Sequence, residues 1–235
     1  MTLCYIFSAV SLALVILFLV VRCLKGGPLG IVTKALASFS FMALALIGVS
    51  QNGFTTFSLF VILGLLCGLI GDIVLDNKVV YKEHETTYLN SGMLSFGVGH
   101  IFYFVAATLI AISLNDVYSY NYSTVTMLIS LGVSIVLSTT IMLLSKPLKL
   151  NFGKFFFQTL AYTLILTFMS AYSIILAIAV PSLWPFATGI CMIFVSDLVL
   201  STQYFGGQQD NKLLIILNHL IYYVGQIFIA ISLFM

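Results

Sequence analysis

Residues 57–75 read Phe57-Ser58-Leu59-Phe60-Val61-Ile62-Leu63-Gly64-Leu65-Leu66-Cys67-Gly68-Leu69-Ile70-Gly71-Asp72-Ile73-Val74-Leu75. As a helix this run is roughly 28 Å long, about the thickness of a bilayer's hydrocarbon core. It carries one charge, Asp72, near its end. An ionisable group inside a membrane span costs a few kcal/mol or more and marks a functional site by default. A near-copy, Ser196-Asp197-Leu198-Val199-Leu200, lies near the end of another apolar run.

Working outward, the 235 residues are 61% hydrophobic and only 7% charged. A soluble domain is about 25% charged, so this composition calls for an integral membrane protein. The net charge is +2 and no basic patch carries interleaved aromatics, which excludes nucleic acid as a partner. Cys4, Cys23, Cys67 and Cys191 fit neither a zinc site nor a disulfide framework and read as packing residues. The first apolar run has no basic segment before it, and Arg22 follows it; we read it as a retained first helix rather than a signal peptide.

Eight apolar runs have the length of membrane helices, near 3–21, 31–48, 57–75, 92–113, 123–144, 155–178, 184–202 and 213–234. They lack the alternation of a membrane barrel. The expected fold is an all-α integral membrane protein with eight transmembrane helices, forming a single polytopic domain over 1–235. Alternate connections and the adjoining helix start carry all nine basic residues: Arg22 and Lys25, with Lys34 just inside the second helix, then Lys78 and Lys82, then Lys146, Lys149 and Lys154, then Lys212. The positive-inside rule makes that side cytoplasmic and both termini non-cytoplasmic. In a bacterial cell the protein would lie in the plasma membrane. The polar stretch from Asp76 to Asn90 reads as a solvated cytoplasmic loop, and Gly206-Gly207-Gln208-Gln209-Asp210-Asn211 as a turn.

The polar positions recur in order. Gly71-Asp72-Ile73-Val74-Leu75 is followed by His100-Ile101-Phe102-Tyr103, and Ser196-Asp197-Leu198-Val199-Leu200 by His219-Leu220-Ile221-Tyr222. Gly27-Pro28-Leu29 before Lys34 resembles Lys146-Pro147-Leu148 before Lys154. This points to a parallel four-plus-four internal repeat, 1–113 and 123–234.

Counted from the helix ends, Asp72 and Asp197 lie roughly 6 Å inside the membrane, and His100 and His219 roughly 9–12 Å. His219, Tyr222, Tyr223 and Gln226 form one stripe of a helix, as do His100 and Tyr103, and Gln158 and Tyr162. Facing lipid these groups would be unsatisfied, so they should face the interior or a wet cavity. Asp76 shares the face of Asp72 but falls at the expected interface. Gly64, Gly68 and Gly71 read as close-packing positions. No tight metal-ligand cluster, P-loop, dinucleotide fingerprint or nucleophile elbow is present, and no cofactor is called for.

At these residues the chain resembles the YhhN, or lysoplasmalogenase, family of eight-helix membrane proteins. The resemblance rests on Gly71-Asp72, on Phe96-Gly97-Val98-Gly99-His100-Ile101-Phe102-Tyr103, on Ser196-Asp197, and on Tyr222-Tyr223-Val224-Gly225-Gln226. It implies hydrolysis of the vinyl ether bond of a lysoplasmalogen, a membrane lysophospholipid, to a fatty aldehyde and a glycerophospho-base. The residues suit that chemistry. A vinyl ether is cleaved by a proton delivered to the carbon beta to oxygen, and a buried carboxylic acid can deliver it. A second carboxylate can stabilise the resulting cation and activate water. Asp72 and Asp197 are the candidate catalytic pair. His100, Tyr103, His219, Tyr222, Tyr223 and Gln226 are supporting groups. Lys34 and Lys154 are candidates for attracting the lipid phosphate. The alternatives are a proton-coupled transporter or lipid flippase, which a parallel repeat with membrane carboxylates also suits, and a scaffold whose aspartates only join helices.

Overall fold

A computed structural model describes residues 2–118 and 120–235; the side chains of Val79 and Lys82 also lie outside the described residues, although Lys82 was counted among the basic residues above. All regular structure among the described residues is helical: α1 (Thr2–Leu24), α2 (Gly27–Asn52), α3 (Thr56–Val80), α4 (Glu85–Ser113), α5 (Tyr122–Ser145), α6 (Phe156–Ala179), α7 (Trp184–Phe205) and α8 (Lys212–Ile231). These are eight helices long and apolar enough to cross a membrane, as the runs implied, and the chain is a multi-pass membrane protein.

Local signals set the helix ends. Gly26, at φ +60°, makes the sharp turn between α1 and α2, a backbone conformation that costs a side-chain-bearing residue energy. Pro28 occupies the first turn of α2, where a missing N–H costs nothing. A capping box opens α3: Thr55 Oγ1 accepts from the Ser58 backbone N–H at 3.1 Å, and Ser58 Oγ accepts from that of Thr55 at 2.8 Å.

The polar stretch after Leu75 departs from expectation. It is not an open loop. α3 continues to Val80, a three-residue 3₁₀ turn covers Lys82–His84, and α4 begins at Glu85. Helices end where backbone hydrogen bonding ends, not where hydropathy falls. Asn77 Nδ2 donates to the Ile73 carbonyl at 2.9 Å within the extra turns. Asp76 therefore belongs to a packed helix and is 2% exposed.

The chain divides into two compact units, one comprising the residues through Ala106 with Gln226–Met235, the other Ala107–Gly225. In the first, α1 packs on α2 and α2 on α3. α3 and α4 approach closely through glycine. A Cβ on Gly64 would land on the Tyr103 ring, one on Gly71 would meet Phe96 at 2.8 Å, and one on Gly99 would meet the Gly64 carbonyl at 3.1 Å. Small residues let membrane helices gain packing where hydrophobic burial gives no drive. In the second unit α5 packs on α6 and α6 on α7. Ser134 and Ser138 on α5 each share a 2.9 Å hydroxyl contact with Thr167 of α6. α7 and α8 approach through Gly225, where a Cβ would meet the Gly189 carbonyl at 2.9 Å.

Candidate functional site

In the first unit the i, i+4 spacing of helices sets up a chain of charge. Lys34 and Ser38 share one face of α2, Asp72 and Asp76 one face of α3, and Arg22 comes from the last turn of α1. The Lys34 ammonium lies 3.5 Å from Asp72 Oδ1 and 3.5 Å from Asp76 Oδ1. Ser38 donates to Asp72 Oδ2 at 2.7 Å. Arg22 Nη1 donates to Asp76 Oδ2 at 3.1 Å. The Lys34, Asp72 and Asp76 side chains are each 3% exposed and that of Arg22 is 13%. Lys78, also buried, lies within electrostatic reach of Arg22, Lys34, Asp76 and Glu85. Asp72 is thus the carboxylate half of a buried ion pair. Such pairs hold their geometry because leaving either partner alone is costly.

Also in this unit, the buried His100 ring meets the Tyr103 ring edge-on, with centroids 5.8 Å apart. The Tyr103 hydroxyl donates to Gln226 Oε1 across 3.5 Å, a long contact. The Tyr103 ring covers Gly64.

In the second unit Tyr162 of α6 donates to Asp197 Oδ2 at 2.9 Å. The adjacent Ser196 is fully buried and bonds Asn218 of α8, whose side-chain oxygen is 2.7 Å away. His219 Nδ1 lies 2.8 Å from the Ile215 carbonyl. A carbonyl only accepts, so Nδ1 carries a proton in this contact. Tyr222 and Tyr223 are buried with their rings edge to face at 5.1 Å.

Among the expected site residues, Lys34 and Asp72 are brought together, as are His100 with Tyr103 and Tyr103 with Gln226. Lys154 is exposed on a 3₁₀ turn, its ammonium 5.3 Å from the Phe155 ring centroid, and Gln158 is exposed. Sequence reasoning did not anticipate Arg22 or Ser38 as partners and underweighted Asp76. The signal was there for Asp76, one turn from Asp72; nothing in the sequence distinguishes Ser38 from other membrane serines.

A similar glycine spacing occurs in each of the two helix pairs. Asp72 lies eight positions past Gly64, and Asp197 eight positions past Gly189. The residues resting on those two glycine carbonyls are Gly99 and Gly225. Their next neighbours are His100 and Gln226.

Among the described residues no three His, Cys, Asp or Glu side chains converge as a metal site requires. The model of the YhhN family matches residues 29–233, and the chain belongs to that family. No curated protein and no solved structure matches the chain. Family membership is consistent with a lysoplasmalogenase-like, hydrolytic role.

Proposed function

We propose that this YhhN-family protein is a membrane-embedded hydrolase that cleaves the vinyl ether bond of lysoplasmalogen, or of a related lyso ether lipid. The products are a fatty aldehyde and a glycerophospho-base. The observation that carries the reading is the buried Asp72 carboxylate, held by Lys34 and Ser38 inside a membrane span. A charge so costly to bury is not explained by packing alone.

The reaction needs a proton donor and a carboxylate, and the two aspartates differ in their surroundings. Asp72, already an ion-paired anion, suits stabilising the cation and activating water. Asp197, oriented by the Tyr162 phenol, suits the donor. The Asp197 carboxyl gives its proton to the beta carbon, and the alkene electrons form the new C–H bond. The oxygen-stabilised cation takes up water, whose proton passes to a carboxylate. The hemiacetal then breaks its C–O bond to glycerol, and the hydroxyl proton leaves with the glycerol oxygen. Lys34 is engaged by two carboxylates, which makes the exposed Lys154 the better candidate for the lipid phosphate.

The test is aldehyde release by purified protein from a lysoplasmalogen in D₂O. The reading expects one deuteron on carbon 2 of the aldehyde and a large loss of turnover in Asp72→Asn and Asp197→Asn. No aldehyde from the wild type, or equal rates in all three proteins, overturns it. Proton-linked lipid flux without turnover would establish a transporter instead.

A further inference from the structure

Asp72 is held by more than its own motif. Two of the groups behind it, Asp76 and Arg22, lie outside every motif by which the chain resembles its family. We propose that Asp76, anchored by Arg22, is a positioning residue: it holds the Lys34 ammonium in a shared position, so that Asp72 keeps negative charge for the reacting lipid. The inference rests on the reading of Asp72 as a working carboxylate and deepens it.

The argument starts from the oxygens. Asp72 has Oδ1 toward Lys34 and Oδ2 toward Ser38. Asp76 has Oδ1 toward Lys34 and Oδ2 toward Arg22. The two inner oxygens share one ammonium at equal distances of 3.5 Å, and the two outer oxygens are tethered to neighbouring helices at 2.7 and 3.1 Å. A lysine ammonium is a compact charge on a flexible stem and goes where the field is deepest. Two carboxylates one helical turn apart hold it between them; a single one would draw it in fully. The geometry therefore divides Lys34, and Asp72 is only partly neutralised.

Arg22 keeps that division stable. Lys78 lies within electrostatic reach of the same carboxyl, whose outer oxygen Arg22 ties. The 3.1 Å contact from α1 fixes it facing Lys34. Removing Asp76 leaves Arg22, Lys34 and Lys78 as neighbouring cations with Asp72 as the remaining buried counter-charge among these residues. Lys34 then collapses onto Asp72 and quenches the charge that a developing oxocarbenium ion would use. Such a loss acts in the transition state and not on the bound substrate.

The experiment compares Asp76→Asn, Asp76→Glu and Arg22→Gln with wild type by steady-state aldehyde release, alongside thermal unfolding. The expected result is a kcat about tenfold or more lower in Asp76→Asn with KM within about twofold, substantial recovery in Asp76→Glu, and an intermediate effect in Arg22→Gln. Unchanged kcat in Asp76→Asn, a loss that merely follows the fraction of folded protein, or no recovery with glutamate overturns the inference. A thermal double-mutant cycle between Lys34→Met and Asp76→Asn separates this inference from the proposed reaction. If the wild type releases no aldehyde, the reaction fails; the shared ammonium then stands on non-additive shifts and falls on additive ones.

Discussion

Replacing Lys34 with methionine tests the charge chain most sharply. Methionine matches the stem in length and removes the ammonium that two carboxylates face at 3.5 Å. Breaking a buried pair from one side typically costs about 3–5 kcal/mol, because the survivor is left charged and desolvated. Here Asp76 keeps Arg22 and Asp72 keeps Ser38, which favours the lower part of that range. For a chain of this size a loss of about 3–4 kcal/mol corresponds to a fall in Tm of roughly 6–16 °C. The sign of a second substitution decides the reasoning. Lys34→Met with Asp72→Asn removes the stranded carboxylate and leaves the Arg22–Asp76 pair intact. The double variant should therefore melt higher than Lys34→Met alone, although it carries one more change. Thermal unfolding of the purified protein in one detergent reads this directly. A double variant that melts lower than the single one would refute the ion-pair argument, because a network held by packing would only weaken further.

Two other expectations follow from particular contacts. Gly64→Ala should destabilise the α3–α4 packing by about 1–3 kcal/mol, since the new methyl group lands on the Tyr103 ring. Gly97→Ala, where nothing lies within 4 Å, should be neutral or slightly stabilising, and equal melting of the two variants would overturn the packing account. Tyr162→Phe should lower the rate of aldehyde release about two- to tenfold by removing the 2.9 Å hydrogen bond that orients Asp197. An unchanged rate would detach Tyr162 from the proposed chemistry.

The eight helices were legible because bilayer thickness fixes the length of an apolar run. So was the importance of Asp72, because charge is conspicuous in that setting. Its partners were not. Hydropathy ends the third span at Leu75 and places Lys34 at a rim, yet hydrogen bonding carries α3 to Val80 and buries Asp76. A lysine read as a topology signal and an aspartate expected near the interface lie on facing helices, each 3% exposed by side chain. Sequence spacing shows which residues share a face of one helix, but not which face of a second helix they meet.

The glycine contacts bear on how the two aspartates compare. Both follow a close-approach glycine by eight positions, so backbone crossing alone places them alike in their own helix pairs. What differs is supplied by the remaining helices. Around Asp72 they supply an ammonium and a serine hydroxyl; toward Asp197 they supply a phenol. An ammonium favours the carboxylate by charge, whereas a phenol is a neutral donor that orients a carboxyl group without adding a formal charge. On the proposed hydrolysis, the ion-paired Asp72 suits the carboxylate role and the phenol-oriented Asp197 suits the proton donor.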